Sequence, residues 1–366
     1  MKRILFAALI IIFVVFMGSI SVACAGEAVT EATVVETTAE SVTPETEAVE
    51  ETEAVVETEA TEVEVKTIKI SHVGSIEDAR NTAALMFKEI VENDTDGSII
   101  VEVYPGSQLG GDRDAMEGVK LGTIQMTVGG AGIFANFEPK MGITALPFLF
   151  ENFEQAWAFN DSDINQEAND SLLASNNMRV LAYWENGFRV VTNSVKPLNA
   201  VEDFAGLKLR TPENPIILET MKALGANPSP LPFAELFMAL QQKAYDGQEN
   251  PIPIIYNYDF YEVQPYLSIT NHVYEPMPLV INEDFFKNLT SEQQEVIKTA
   301  AILAQNFNRN LIQQQTEEML VKLEEVGMEI SKPDLAMFKE ATKDVRNLFK
   351  DDFGEKFIED AYNFSK

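Results

Sequence analysis

The sequence predicts an α/β protein with two domains and a mainly parallel sheet. Residues 67–128 alternate strand, helix, strand, helix and strand, which is the βαβαβ unit of a doubly wound sheet. The chain of 366 residues is long enough for two domains after its ends are removed. Residues 290–325 have the pattern of a single helix, which is too long for one small domain and is therefore predicted to brace two.

The first residues predict an export signal. Lys2 and Arg3 form a short basic start, residues 4–15 are almost wholly apolar, and small residues follow. This apolar run is shorter than the roughly 20 residues that span a bilayer, which disfavours a transmembrane helix. We therefore expect a signal peptide over residues 1–23 and an exported protein.

Cys24 is the only cysteine, so the fold has no intramolecular disulfide. It follows Ser21-Val22-Ala23, a pattern that resembles the lipobox of bacterial lipoproteins, although Ser21 stands where leucine is usual. We expect Cys24 to be acylated and to anchor the protein to a membrane. Cleavage after Ala25, which would release a soluble protein, is the alternative.

Residues 24–65 predict an extended acidic tether. Residues 27–64 contain thirteen Glu, no Lys or Arg and no aromatic side chain. Such a segment repels itself and cannot bury enough apolar surface to offset the entropy of ordering. A tether is most useful when its origin is anchored, which favours acylation at Cys24.

The net charge of −31 argues against sequence-independent binding of nucleic acid, which needs an excess of Lys and Arg. The chain that follows the tether keeps a net charge of about −20, so the folded part is itself acidic. An anionic solute must then be attracted by local fields inside a cleft.

Hydrophobic periodicity and turn residues predict the elements in order. In the first half we expect strands at residues 67–73, 99–104 and 123–128 and helices at 79–92 and 111–121. In the second half we expect strands at 180–184, 189–192 and 207–210 and helices near 214–224 and 233–243. Thr290 and Gln293 form a capping box that opens the long helix, and Gly327 closes it.

Three polar residues are the main site candidates: Arg189, Arg210 and Asn250. Each is predicted to lie where a strand gives way to a turn marked by Gly or Pro, which is where open α/β folds place ligand contacts. Two guanidiniums and an amide suit a carboxylate, because Arg offers a planar fork of donors and Asn adds a donor without charge.

Enzyme motifs are weak in this chain. Residues 130–135 (GAGIFA) match a dinucleotide-binding fingerprint, but Pro139 interrupts the helix that should follow. His72 and His272 lie far apart with no metal-binding spacing, so no zinc site is expected. We expect no cofactor and no catalysis, and an NAD(P)-dependent oxidoreductase is kept as an alternative.

A series of motifs resembles the solute-binding proteins of TRAP transporters, the dicarboxylate-binding family. The motifs occur in the family's order and cover residues 66–350: PGSQLGGDR at 105–113, GVKLGT at 118–123, LPF at 146–148, GLKLRTP at 206–212, GANP at 225–228, FAE at 233–235, DGQENP at 246–251, YEVQ at 261–264 and NHV at 271–273. The resemblance implies a two-lobed periplasmic-binding-protein-like fold (type II) with crossover strands and a long lobe-spanning helix, which closes on its ligand by a hinge. On this basis we divide the chain into lobe I, residues 66–187 with 276–315, and lobe II, residues 188–275 with 316–366.

The resemblance also implies a function. It predicts a monomeric protein outside the cytoplasm that captures an organic acid and delivers it to a sodium-coupled membrane permease. Arg210 matches the family's principal carboxylate ligand, Arg189 and Asn250 match its partners, and Phe233 matches an aromatic residue that lines the cleft. A ligand-presenting cell-surface sensor with the same fold is a further alternative.

The sequence indicates the rest of the ligand less directly. A C4-dicarboxylate needs a second cation, for which Arg80 and Arg113 are candidates. A sugar acid instead needs partners for its hydroxyl groups, and a buried polar set of this kind rejects analogues that lack them. The candidates for these partners are His72, Asp112, Trp184, Glu185 and Asn186. We therefore favour a sugar acid such as a uronate over a dicarboxylate.

Overall fold

The computed structural model describes residues 65–365. The predicted signal peptide, Cys24 and almost all of the predicted tether lie outside these residues. Nine strands are found in the described part: β1 Lys66–Ser71, β2 Ile99–Tyr104, β3 Met126–Val128, β4 Met178–Asn193, β5 Lys208–Thr211, β6 Asn227–Pro230, β7 Gly247–Pro251, β8 Tyr266–Asn282 and β9 Glu329–Ser331.

Helices follow most of the strands. Their bounds are α1 Ala79–Asp94, α2 Asp112–Leu121, α3 Ala131–Phe134, α4 Phe153–Asn160, α5 Asp163–Asn176, α6 Pro215–Ala223, α7 Leu236–Gln241, α8 Ile252–Asn257, α9 Glu283–Lys287, α10 Ser291–Glu325, α11 Leu335–Thr342, α12 Lys350–Phe353 and α13 Glu355–Phe364. No helix in the described range is long and apolar enough to cross a membrane.

The nine strands form one mixed sheet. Its order is β2-β1-β3-β8-β4-β7-β5-β6, and β9 pairs with β8. β1 is parallel to β2 and β3, and β5 is parallel to β6 and β7, so each side of the sheet has its own parallel set. These two sets flank the long antiparallel pair β4 and β8 in the middle. Because β8 pairs with β3 on one side and β4 pairs with β7 on the other, β4 and β8 are the crossover strands that the resemblance predicts.

β4 and β8 connect the two sides of the sheet. The first half of β4 pairs with the second half of β8, which also pairs with β3, and the second half of β4 pairs with β7. The pairing of β4 with β8 shifts register between Glu185 and Gly187, and Gly187 has a φ of 122°, which favours glycine. Our division into lobes falls at this bulge, where Gly187 pairs with Glu275, and it stays a prediction.

The first βαβαβ unit is confirmed. β1, β2 and β3 pair in parallel in the order β2-β1-β3, with α1 and α2 as the connecting helices. β2 begins and ends at the predicted residues, Ile99 and Tyr104. The long helix is confirmed as α10, which has 35 residues and a capping box between Thr290 and Gln293.

The prediction of two strands at residues 180–184 and 189–192 is wrong. They form one continuous strand, β4, because the Asn186-Gly187 pair is taken up as a bulge rather than a turn. Arg189 consequently lies inside a strand rather than at its end.

The core has three parts. One packs α1 and α10 against the sheet through residues such as Phe87, Trp184 and Ala300. A second packs α8 and the end of α10 against β4 and β8. The third joins α2, α3 and α5 to α6 and the C-terminal helices, and Phe338 contacts Phe204 within it.

Candidate functional site

A cavity of about 400 Å³ lies beside the β4 and β8 pair, a volume within the range of small-molecule sites. β4, β5, β7 and β8 contribute side chains to its wall, as do the starts of α1 and α2 and the loops before α3 and α7. The charged and polar wall residues are Arg80, Ser107, Asp112, Arg113, Asp114, Asn186, Arg189, Arg210, Glu213, Glu235, Asn250 and Glu275.

Arg210 is the buried cation of this wall that has no acidic partner. Its side chain is 2% exposed, and its Nε and Nη2 donate to the backbone carbonyl of Leu231 at 2.9 and 2.6 Å. Within residues 65–365 its guanidinium forms no ion pair, and its Nη1 makes no hydrogen bond. Burial lowers the pKa of Arg210 to about 10 and nearby Arg189 adds to the fall, against the opposing effects of Glu249, Asp112 and Glu275, so Arg210 stays protonated at neutral pH. Arg210 therefore lies at the cavity wall without a direct ion pair in the described chain.

Arg189 lies beside Arg210 but is already paired. Its Nη2 donates to the carboxylate of Glu249 at 2.8 Å and to the backbone carbonyl of Glu249 at 2.6 Å. Its Nε also donates to Glu249, and its Nη1 donates to Glu275. Burial alone would lower the pKa of Arg189, but Glu249 and Glu275 raise it above its usual value. Arg189 is therefore a fixed, neutralised part of the wall.

Glu249 extends this network away from the cavity. Burial acts to raise the pKa of Glu249, but Arg189 and a hydrogen bond from His272 hold it below its usual value. His272 Nε2 lies 3.3 Å from Glu249, and its Nδ1 lies 2.8 Å from the hydroxyl of Thr270. His272 therefore helps to hold the Glu249 carboxylate against the guanidinium of Arg189.

Two amides complete this side of the cavity. Asn250 accepts a hydrogen bond from Arg189 Nη2 at 3.1 Å and donates to Gln248. Asn186 donates from Nδ2 to Glu275 at 2.9 Å. The predicted trio of Arg189, Arg210 and Asn250 is therefore brought together around one cavity, and of its two cations Arg210 is the one that lacks an acidic partner among the described residues.

Two carboxylates approach the backbone between β3 and α3. A Cβ atom built on Gly129 would lie 2.9 Å from Asp112, and one built on Gly130 would lie 2.5 Å from Glu275 Oε1. Burial raises the pKa of Asp112 to about 6 against the opposing effect of Arg80, and Glu275 adds to the rise. The two glycines thus leave space that the acidic groups use.

Arg80 and Phe233 mark the other side of the cavity. Arg80 is 5% exposed and pairs with Asp78 at 3.1 Å. The hydroxyl of Tyr258 donates to Asp78 at 3.3 Å, and the Tyr258 ring packs edge-on against Phe233 at 4.7 Å. Phe233 is partly buried and lines the cavity, as predicted.

Three predicted ligand contacts lie away from the cavity wall. Trp184 is fully buried in the core against α1 and α10, and Glu185 accepts hydrogen bonds from Trp157 and from Tyr274 at 2.7 Å. His72 is buried at the end of β1, where burial and the nearby Arg80 lower its pKa to about 4. These three do not line the cavity, so their role as ligand contacts stays a prediction, whereas Asp112 and Asn186 do line it.

The structure explains the glycines of residues 130–135 without a dinucleotide-binding loop. The helix that follows Gly130 is only four residues long, and a Cβ atom on Gly132 would overlap the side chain of Asn214. Asn214 caps α6 by accepting from the backbone of Ile216 and Ile217. Gly132 thus allows a close contact with the start of α6, a packing role that needs no nucleotide.

Glu275 was missed by reasoning from the sequence. It pairs with Arg189 and Asn186 in the cavity wall, yet it lies in a stretch that reads as an apolar strand. A lone acidic residue in such a strand is itself a signal, because Glu is rarely buried without a partner.

The comparisons with known proteins agree with this architecture. Residues 70–352 match the model of the family described as "Bacterial extracellular solute-binding protein, family 7". The chain belongs to this family.

Individual relatives show what has been found in this fold. This chain is 35% identical over 289 residues to the 2,3-diketo-L-gulonate-binding periplasmic protein YiaO of Escherichia coli (strain K12). The alignment covers 78% of this chain and 88% of YiaO. The structure of this chain resembles the sugar acid binding protein DctPAm of Advenella mimigardefordensis in complex with galactonate, with a TM-score of 0.80 and 32% identity. The match covers 82% of this chain and 98% of DctPAm. The structure also resembles a TRAP periplasmic solute binding protein of Polaromonas sp. JS666 bound to D-erythronate, with a TM-score of 0.78, 34% identity and coverage of 81% and 98%.

Proposed function

We propose that this solute-binding protein captures a sugar acid through a bridge between its carboxylate and Arg210, and that it delivers the acid to a TRAP membrane permease. The observation that carries the proposal is the buried guanidinium of Arg210, which lines the cavity without an acidic partner in the described chain. A buried charge is costly unless it is paired, so an incoming carboxylate is favoured at this point.

The charges of the wall favour one carboxylate over two. Arg189 is neutralised by Glu249 and Glu275, Arg80 is paired with Asp78, and Arg113 is exposed beside Glu117. The second carboxylate of a dicarboxylate would therefore meet no unpaired buried cation within residues 65–365. The acidic residues of the wall would instead repel that second carboxylate. Their carboxylate oxygens can accept hydrogen bonds from the hydroxyl groups of a ligand. Relatives are described as binding diketogulonate, galactonate and erythronate, and another is bound to succinate, so the preference for a sugar acid rests on the charges of the wall.

The proposal is tested by measuring how organic acids raise the melting temperature of the purified protein, because a ligand that binds only the native state stabilises it. D-galactonate and D-erythronate should raise it more than succinate. Calorimetry should then show that Arg210→Ala weakens galactonate binding by a factor of ~30 to several thousand. Arg113→Ala is the matched control, since Arg113 is exposed and should matter little. Near-normal affinity in Arg210→Ala would remove Arg210 from this role, and a response only to nicotinamide cofactors would favour the oxidoreductase alternative.

We also propose that Cys24 is acylated and anchors the protein to the outer face of a membrane. The support is its position after Ser21-Val22-Ala23 and before the acidic segment of residues 27–64. Mass spectrometry of the mature N-terminus decides the matter, since a diacylglycerol adduct on Cys24 supports the anchor. An unmodified N-terminus at Gly26 would instead indicate cleavage after Ala25 and a soluble protein.

A further inference from the structure

Glu275 has a carboxylate oxygen with no hydrogen-bond donor. The side chain is 3% exposed and lines the cavity. Its Oε2 accepts from Arg189 Nη1 and from Asn186 Nδ2, whereas Oε1 has no partner in the described part of the chain. A buried carboxylate oxygen without a donor is unfavourable, so the free protein leaves one hydrogen bond to be made here.

The backbone next to this oxygen leaves the space that the Glu275 carboxylate occupies. The position that a Cβ atom would take on Gly130 is 2.5 Å from Glu275 Oε1, and Gly130 also lines the cavity. Gly130 has φ −59° and ψ 131°, a conformation that any L-residue can adopt. Backbone geometry therefore does not require glycine at this position, whereas the space beside Glu275 does.

We propose that Glu275 Oε1 is the acceptor for a hydroxyl group of the bound acid, and that this contact makes the site select hydroxylated acids over unsubstituted ones. The inference rests on the proposed capture of an organic acid by Arg210. A ligand with a hydroxyl can donate to Oε1 while its carboxylate binds Arg210. Succinate and butanoate have no such donor, and the second carboxylate of succinate would face the negative charge of Glu275.

A hydroxyl fits this place better than an ammonium group. Glu275 is already paired with the guanidinium of Arg189, so its Oε1 lacks a hydrogen-bond donor and not a cation. A neutral hydroxyl group supplies that donor without adding a charge to the cavity. Glu275 is therefore a specificity residue for polyhydroxy acids and not half of a site for amino acids.

The test compares acids of four carbons on the purified full-length protein. Calorimetry measures the affinity of D-erythronate, butanoate, succinate and 4-aminobutanoate for wild type and for Glu275→Gln. In the variant, D-erythronate affinity should fall by about tenfold to a hundredfold, the loss expected for one hydrogen bond to a charged group. Butanoate affinity should stay within about threefold, and succinate affinity should rise.

Glu249→Gln is the matched control. Glu249 also pairs with Arg189, but it is 0% exposed and does not line the cavity. Its substitution should change the affinities of erythronate and butanoate by the same factor. An equal effect of Glu275→Gln on both acids would show that Glu275 only holds Arg189 in place, and would overturn the inference.

A second variant tests the same contact without changing a charge. Gly130→Ala places a methyl group against Oε1 and should also reduce the preference for erythronate over butanoate. An unchanged preference in both variants would overturn the inference while leaving Arg210 as the carboxylate ligand. If wild type binds 4-aminobutanoate in preference to erythronate, an ammonium group and not a hydroxyl group contacts Glu275 Oε1, and the inference is overturned. If wild type binds no acid at all, the proposed function falls and the inference falls with it.

Discussion

Arg210 directs two of its nitrogens, Nε and Nη2, to a single acceptor, the backbone carbonyl of Leu231, at 2.9 and 2.6 Å. This contact fixes the plane of the guanidinium and leaves Nη1 without a partner in the described chain. The orientation is set by the segment between β6 and α7, which also carries Phe233 into the cavity wall. The group that we propose binds the carboxylate is thus held by the backbone in the ligand-free protein.

Replacing Arg210 by Gln should separate ligand binding from stability. The Gln amide can still donate to Leu231, but it removes a buried charge that has no acidic partner, so the ligand-free protein should be as stable as wild type or more stable by about 1–2 kcal/mol. The stabilisation of about 2.7 kcal/mol expected when D-galactonate is present at a hundred times its Kd should disappear. Urea unfolding with and without galactonate measures both quantities. A clear loss of stability without ligand would mean that Arg210 is structural.

Replacing Arg189 by Ala should have the opposite effect. It leaves Glu249 and Glu275 as buried carboxylates without their cation, which typically costs about 3–5 kcal/mol. The free energy of unfolding should therefore fall sharply without ligand. Arg113→Ala serves as control, because its pair with Glu117 is more than half exposed and should be worth under about 1 kcal/mol. Equal stabilities for the two variants would contradict the assigned roles.

Local signals account for the elements that the sequence predicted well. β2 lies between Gly97 and Pro105 and consists mainly of β-branched residues, and its bounds agree with prediction. The long helix carries its own start signal in Thr290 and its stop signal in Gly327, so α10 could be delimited without tertiary information.

The continuity of β4 could not be predicted in this way. Asn186-Gly187 is a common turn pair, but pairing with β8, nearly ninety residues later in the chain, turns it into a bulge. The bulge also decides which side chains reach the cavity. Asn186 points to it, whereas the adjacent Glu185 is directed to Trp157 and Tyr274. Neighbouring polar residues in one motif thus have different roles, and only the long-range pairing separates them.

Glu185 should make stability depend on pH. Burial raises the pKa of its carboxyl to about 7 against the opposing hydrogen bonds from Trp157 and Tyr274. Between about pH 4.5 and pH 7 the native state therefore binds more protons at this group than the unfolded state does, so stability falls as pH rises through this window. Glu185→Gln should lose this part of the pH dependence. Its free energy of unfolding, compared with that of wild type, should therefore be higher at pH 7.5 than at pH 5. Denaturant unfolding of both proteins at the two pH values measures the difference. An equal difference in unfolding free energy between wild type and Glu185→Gln at the two pH values would show that Glu185 does not titrate in this range.

Gly132→Ala tests whether the glycines after β3 serve packing. The added methyl group would overlap the side chain of Asn214, which caps α6, so either the cap is lost or the loop shifts. Overpacking and loss of a cap each cost about 1–2 kcal/mol, and we expect a decrease of this size in the free energy of unfolding. Gly111→Ala is the matched control, because φ is −68° there and the nearest atom to the added carbon is 3.9 Å away. Chemical unfolding of the two variants beside wild type compares the costs. If Gly132→Ala is as stable as Gly111→Ala, the close contact with Asn214 does not account for the glycine.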